Sequence, residues 1–91
     1  MSQTAKHIIF KGRVQGIGFR FTSLNIANRY HLTGLVRNLL DGTVEMIAQG
    51  EPDDVIKCIR GIEKAFEGYI TETNVTEISV NARYKDFKIT F

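Results

Sequence analysis

Apolar residues recur along this chain first with one spacing and then with another, and the order of the switches leaves few folds open. In "AKHIIFKGRV" they alternate: Ile8, Phe10 and Val14 share one parity, His7, Lys11 and Arg13 the other. Alternation of this kind marks a strand with one buried face. From Phe19 to about Leu32 the spacing turns helical, with Phe19, Ser23, Ile26, Ala27 and Tyr30 on one stripe. Phe21 and Leu24 fall off that stripe, so the helix has a wide buried face or exposes apolar surface. "GLVRNLL" and "TVEMIAQG" read as strands on either side of Asp41-Gly42, a strong signal for a tight hairpin. Val44, Met46 and Ala48 share a face of the second of them. "EPDDVIKCIRGIEKAF" is a second helix, opened by Pro52 and two aspartates, with Val55, Ile59, Ile62 and Phe66 as its stripe and Cys58 beside them. Gly61 inside it costs about 1 kcal/mol relative to Ala, with no reason legible in the sequence. "EGYITETN" reads as a loop, "VTEISVNARY" as a strand through Ile78, Val80 and Ala82, and "FKITF" as a last extended segment.

The order is therefore β-α-β-β-α-β with a terminal strand. Each helix is expected to cross between adjacent parallel strands in the right-handed sense. Both apolar stripes then pack on one face of a mainly antiparallel sheet, an α+β, ferredoxin-like sandwich. A chain of 91 residues makes one domain, taken as residues 1–91. This architecture hosts enzymes, RNA binders, metal carriers and regulatory modules, so function has to come from particular residues.

The stretch that points to chemistry is "GRVQGIGFR". Gly16 and Gly18 allow the backbone to turn with its N–H groups facing inward, which makes a concave site for an anion. The free N–H groups at the start of the following helix add donors and partial positive charge. Arg20 stands at this already positive place, where a lone cation is unfavourable. A phosphate reconciles the two: the loop gives amides and the guanidinium a bidentate clamp. The spacing lacks the GK[ST] of a nucleotide P-loop and the full G-x-G-x-x-G of a dinucleotide site, so no nucleotide is expected. A bare G-x-G could also be a plain strand-to-helix turn with a solvated arginine.

Other candidates have plainer explanations. One cysteine, Cys58, forms no internal disulfide or multi-thiolate metal site, and its place on an apolar stripe fits core packing. It also fits a reducing compartment. His7 and His31 lie far from the loop in sequence, Ser23 has no identifiable base, Asp41 belongs to its turn, and Asp53 and Asp54 to a helix N-terminus. No group of residues has metal-ligand spacing. A net charge of +2 suits a small anionic ligand and argues against a large nucleic-acid footprint. An RNA-binding module on this fold needs stacking aromatics on the third strand, and "TVEMIAQG" has none. No apolar run is long enough to span a bilayer, and "MSQTAKHIIF" has no signal core. A cytoplasmic, monomeric protein without a fused partner is expected.

"GRVQGIGFR" followed by "LTGLVRNLLDGTVEMIAQG" resembles the acylphosphatase family, and the resemblance continues through "EISV" and "FKITF". It implies hydrolysis of acyl phosphates to a carboxylate and inorganic phosphate, with no metal or other cofactor. It assigns catalysis to Arg20 and Asn38, and phosphate binding to the amides of Gln15, Gly16, Ile17, Gly18 and Phe19. By itself Asn38 could equally be a turn residue before Asp41-Gly42. Leu35 stands where many members have an aromatic residue, and "EGYITETN" where many have a proline-containing stretch. The chemistry needs little more than these groups. The leaving carboxylate has a conjugate acid of pKa about 4 and departs without general acid help. The remaining tasks are to hold phosphoryl oxygens, neutralise charge and place water in line. An alternative is a non-catalytic phosphate-binding or regulatory module on the same fold.

Overall fold

The computed structural model describes residues 2–91. Its elements are β1 (Thr4–Gly12), α1 (Phe19–Arg29), β2 (Thr33–Asn38), β3 (Val44–Gly50), α2 (Pro52–Ala65), β4 (Ile70–Ile78) and β5 (Phe87–Ile89). The strands form one sheet in the order β4-β1-β3-β2-β5. All neighbours run antiparallel except β2 and β5, which are parallel. The ferredoxin-like α+β expectation holds, with one correction. Strands β1 and β2, joined through α1, are not adjacent: β3 lies between them and pairs with both. Likewise β1 lies between β3 and β4, which are joined through α2. Interleaving gives every long strand an antiparallel neighbour for its backbone groups, and each crossover passes over the strand it skips.

The core lies between one sheet face and the two helices. Ile8, Phe10, Val14, Val36, Val44, Met46 and Ala48 meet Phe19, Ile26 and Ala27 from α1 and Val55, Cys58, Ile62 and Phe66 from α2, all in one cluster. The registers Ile8↔Met46 and Val36↔Met46 put these strand residues in a single row. Phe19 is edge-on to Phe10, with centroids 5.1 Å apart, and packs on Phe66 at 4.5 Å. These contacts fix the start of α1 against both the sheet and α2. Gly61 meets Ile26 of α1, the nearest atom standing 3.4 Å from where a Cβ would sit, so it lies at the crossing of the helices.

Several boundaries move. Helix α1 ends at Arg29 instead of continuing to Leu32, because His31 adopts a left-handed φ of 58°. The N–H groups of His31 and Leu32 then donate back to Asn28 and Ala27, closing the helix end. Strand β2 stops at Asn38, and the hairpin is a five-residue loop, Leu39 to Thr43, not a two-residue turn. Asp41 stabilises it by accepting from the N–H and hydroxyl of Thr43. These bonds, the hydroxyl first, hold the Asp41 carboxyl below its ordinary pKa.

The largest correction concerns "EGYITETN", read as a loop. Residues 70–74 instead begin β4, and the strand expected to run through Val80 and Ala82 ends at Ile78. Strand β4 is an edge strand made by backbone pairing with β1, and most of its side chains face solvent, so it carries no apolar alternation. It ends where its partner ends: Ile78 stands opposite Ala5, and β1 begins at Thr4. Beyond it the chain leaves the sheet, and Gln49 bonds both the N–H and the C=O of Asn81.

Candidate active site

The loop from β1 to α1 turns at Gly16 and Gly18, both at φ 78°. A Cβ at either position would meet nothing within 4 Å, so glycine is needed here for the backbone angle and not for space. Gly18 is the N-cap of α1, with no side-chain cap and no acidic residue in the first turn. The first N–H groups of the helix are thus left for an outside acceptor. Among the described residues, no acceptor is bonded to the N–H groups of residues 15 to 21. Amides in that state, at the positive end of a helix, favour an anion.

Asn38 reaches the same place from the sheet. Along β2, Val36 faces the core and Arg37 the opposite, open face, where it pairs with Glu45. The pleat returns Asn38 to the helix side. There it lines a cavity of about 220 Å³ together with Gly16, Gly18, Phe19 and Arg20. Val14, Phe21, Ile89 and Phe91 complete the lining. Asn38 and Arg20 therefore line one space. The Oδ1 atom of Asn38 is buried and accepts no hydrogen bond from the protein. A buried acceptor of this kind costs free energy until a donor reaches it.

Two expected site residues are placed differently from the rest. Ile17 is partly exposed, and its side chain is not part of the cavity wall. Gln15 turns its side chain to the β2–β3 hairpin, where Nε2 donates to the carbonyl oxygens of Leu39 at 2.8 Å and Thr43 at 2.9 Å. It bridges the glycine loop to the segment following Asn38. This bridge was not legible in the sequence, since a glutamine beside a glycine loop has no distinctive local signal. Ile89 and Phe91 were also missed, because only the pairing of β5 with β2 brings them here. The off-stripe position of Phe21 was the one available hint of an exposed aromatic. The ring of Phe91 lies 5.5 Å from the guanidinium carbon of Arg20, within cation–π range.

The other reactive side chains lie elsewhere. Cys58 is fully buried, and burial pushes its thiol up to about 12, so it supplies no thiolate. Ser23 is fully buried in the core, its hydroxyl without a partner. His7 is bonded to Glu45 at 2.8 Å on the open face of the sheet, away from the helices. Burial alone would raise the Glu45 carboxyl. The hydrogen bonds and charges of His7 and Arg37 outweigh it and hold the group below its ordinary pKa of 4.5.

The acylphosphatase family model matches residues 6–89. An acylphosphatase from Chlorobaculum tepidum is 41% identical over 90 residues, covering 98% of each chain. The crystal structure of an acylphosphatase from Bacillus subtilis superposes with a TM-score of 0.89 at 31% identity, covering 97% of this chain and 99% of the other. A full-length HypF, solved in a phosphate- and nucleotide-bound form, is similar over 99% of this chain but only 12% of its own length, at 34% identity and a TM-score of 0.82.

Proposed function

This chain belongs to the acylphosphatase family and is an acylphosphatase, and from that premise we propose how its own residues carry the reaction. The loop of residues 15 to 19 is a phosphate-binding loop whose amides, with the N–H of Arg20, hold the phosphoryl oxygens. The Arg20 guanidinium clamps two of those oxygens and offsets the charge that builds on them. Asn38 holds a water through its carboxamide and fixes it in line with the scissile bond. The water oxygen attacks phosphorus, and the bond from phosphorus to the bridging acyl oxygen breaks. The carboxylate leaves with that bonding pair. A proton of the water passes to a phosphoryl oxygen, so the products are carboxylate and inorganic phosphate. No protein acid or base is needed, since the leaving group is weakly basic and the transition state is largely dissociative.

The observation that carries this reading is the one cavity that Asn38 and Arg20 line together with the glycine loop, whose N–H groups have no protein acceptor among the described residues. It is tested by following benzoyl phosphate loss in metal-free buffer, alongside phosphate binding by calorimetry. Arg20→Ala is expected to lose both turnover and phosphate binding. Asn38→Ala is expected to keep phosphate binding while kcat falls by about 100-fold or more. Loss of binding in Asn38→Ala would make that residue structural and refute its role. The finer setting is supported more simply. The one cysteine, Cys58, is free and buried, which fits action in a reducing compartment such as the cytoplasm. The single core shared by both helices fits one domain over residues 1–91.

A further inference from the structure

A second cavity, of about 310 Å³, opens beside the start of β2, and its lining is cationic. Arg83, Lys85 and Lys88 line it with Tyr84, Leu35 and one acid, Asp86. It shares no lining residue with the cavity of Arg20 and Asn38. Along β5, Ile89 lines that first cavity while Lys88 and Thr90 line the second, so the pleat of one edge strand separates them. Among the described residues, Arg83, Lys85 and Lys88 pair with no carboxylate. The side chains of this lining carry a net charge of +2, the excess of the whole chain, so the rest of the molecule balances to neutrality. Scattered surface cations are ordinary. These stand on a backbone held at both ends. The buried Gln49 carboxamide bonds the C=O of Asn81 at 3.0 Å and its N–H at 2.8 Å. Asn81 then accepts from the N–H groups of Arg83 through Oδ1 and of Tyr84 through its carbonyl. At the other end the Asp86 carbonyl accepts from the Gly34 N–H at 2.9 Å. The N–H groups of Lys85 and Asp86, between these anchors and β5, have no acceptor among the described residues.

We propose that this cavity is a second anion site, separate from the glycine loop, and that it takes a short polyphosphate chain, free or as the tail of a nucleotide. Three cations gathered on one wall repel one another, and an anion between them turns that repulsion into attraction. Asp86 opposes any anion, so the ligand has to bring more than one negative charge. A chain of two or three phosphoryl groups does so in an extended form, and the cavity exceeds the 220 Å³ of the catalytic one. Arg83 offers a planar fork to one phosphoryl group, and Lys85 and Lys88 act as point charges along the chain. The unpaired N–H groups of Lys85 and Asp86 add donors on the same segment. Tyr84 supplies an aromatic ring on which a base can stack. Because Gln49 and Gly34 hold the segment in place, little ordering is left to be done on binding.

The test is calorimetry with inorganic tripolyphosphate and with ATP, in metal-free buffer, on the Arg20→Ala protein, so that the glycine loop does not compete for the ligand. One site is expected, weakened by added salt. Adding Arg83→Gln, Lys85→Gln and Lys88→Gln together is expected to weaken it by about 10- to 100-fold, the range of three exposed ion pairs. The control replaces Lys57, Arg60 and Lys64, exposed on α2, with Gln, which removes the same charge elsewhere and is expected to leave the affinity within about twofold. Equal affinity for the two ligands identifies the polyphosphate chain itself as the ligand; tighter ATP that loses its advantage in Tyr84→Ala identifies a nucleotide. With Arg20 intact, the triple Gln variant is expected to hydrolyse benzoyl phosphate with unchanged kcat and KM, since none of its changes lines the catalytic cavity. Absence of binding at about 1 mM ligand in the Arg20→Ala protein overturns the site. So does an affinity that the triple Gln change leaves intact, or one that the α2 control lowers as much. None of these outcomes touches the reading of the glycine loop.

Discussion

Replacing Gln15 with Met keeps the length of the side chain and removes both donors that tie the glycine loop to the β2–β3 hairpin. The cost follows from what the two acceptors keep. The Thr43 carbonyl still accepts from the Leu39 N–H at 2.9 Å, and the Leu39 carbonyl from the Gly42 N–H at 3.2 Å. Neither is orphaned, so each lost bond is worth its modest net value and not a full desolvation penalty. Together they amount to about 1–2 kcal/mol. In a domain of this size that lowers Tm by about 5–15 °C. The functional loss should exceed what stability explains, because the bridge ties the loop proposed to hold the phosphoryl group to the segment that follows Asn38. A displacement of about 1 Å between reacting groups can cost up to about 100-fold in rate. With urea unfolding used to choose a temperature at which the variant is fully folded, kcat for benzoyl phosphate should fall by about tenfold or more, while phosphate affinity changes by less than about threefold. An unchanged kcat would refute the positioning role. A parallel loss of phosphate binding would show that Gln15 shapes the loop itself and not its distance from Asn38.

Three further substitutions probe the frame. Gly61→Ala should stabilise the protein by up to about 1 kcal/mol in urea unfolding, since the added methyl meets Ile26 at an ordinary contact distance and helix propensity improves; destabilisation would mean the helices cannot give even slightly at their crossing. Ser23→Ala removes a buried hydroxyl that has no partner and should be neutral or stabilising by about 1 kcal/mol, so a clear loss of stability would reveal a hydrogen bond made by that hydroxyl. The Glu45 carboxyl, held below 4.5, contributes stability that is complete above that value and is lost as pH falls through its lower folded-state pKa. Glu45→Gln should therefore flatten the acid limb of stability against pH, and parallel profiles for parent and variant below about pH 5 would exclude this role.

The sequence by itself determined the elements that bury side chains with regular spacing and the loop that needs glycine for its backbone angle. The stripes of α1 and α2, the alternation in β1 and β3, and Gly16-x-Gly18-x-Arg20 were all legible, because burial and φ leave residue types at fixed intervals. Asn38 was legible only by resemblance; its local pattern suits a turn equally well. Tertiary structure alone decided β4, whose residues contribute backbone pairing at the sheet edge and so carry no apolar alternation. It also decided that β3 separates β1 from β2, which is a matter of strand pairing and not of side-chain type. The same is true of the Gln15 bridge and of the aromatic wall beside Arg20. Both join segments far apart in the chain, and contacts across such distances depend on how the sheet is ordered, which no local run of residues encodes.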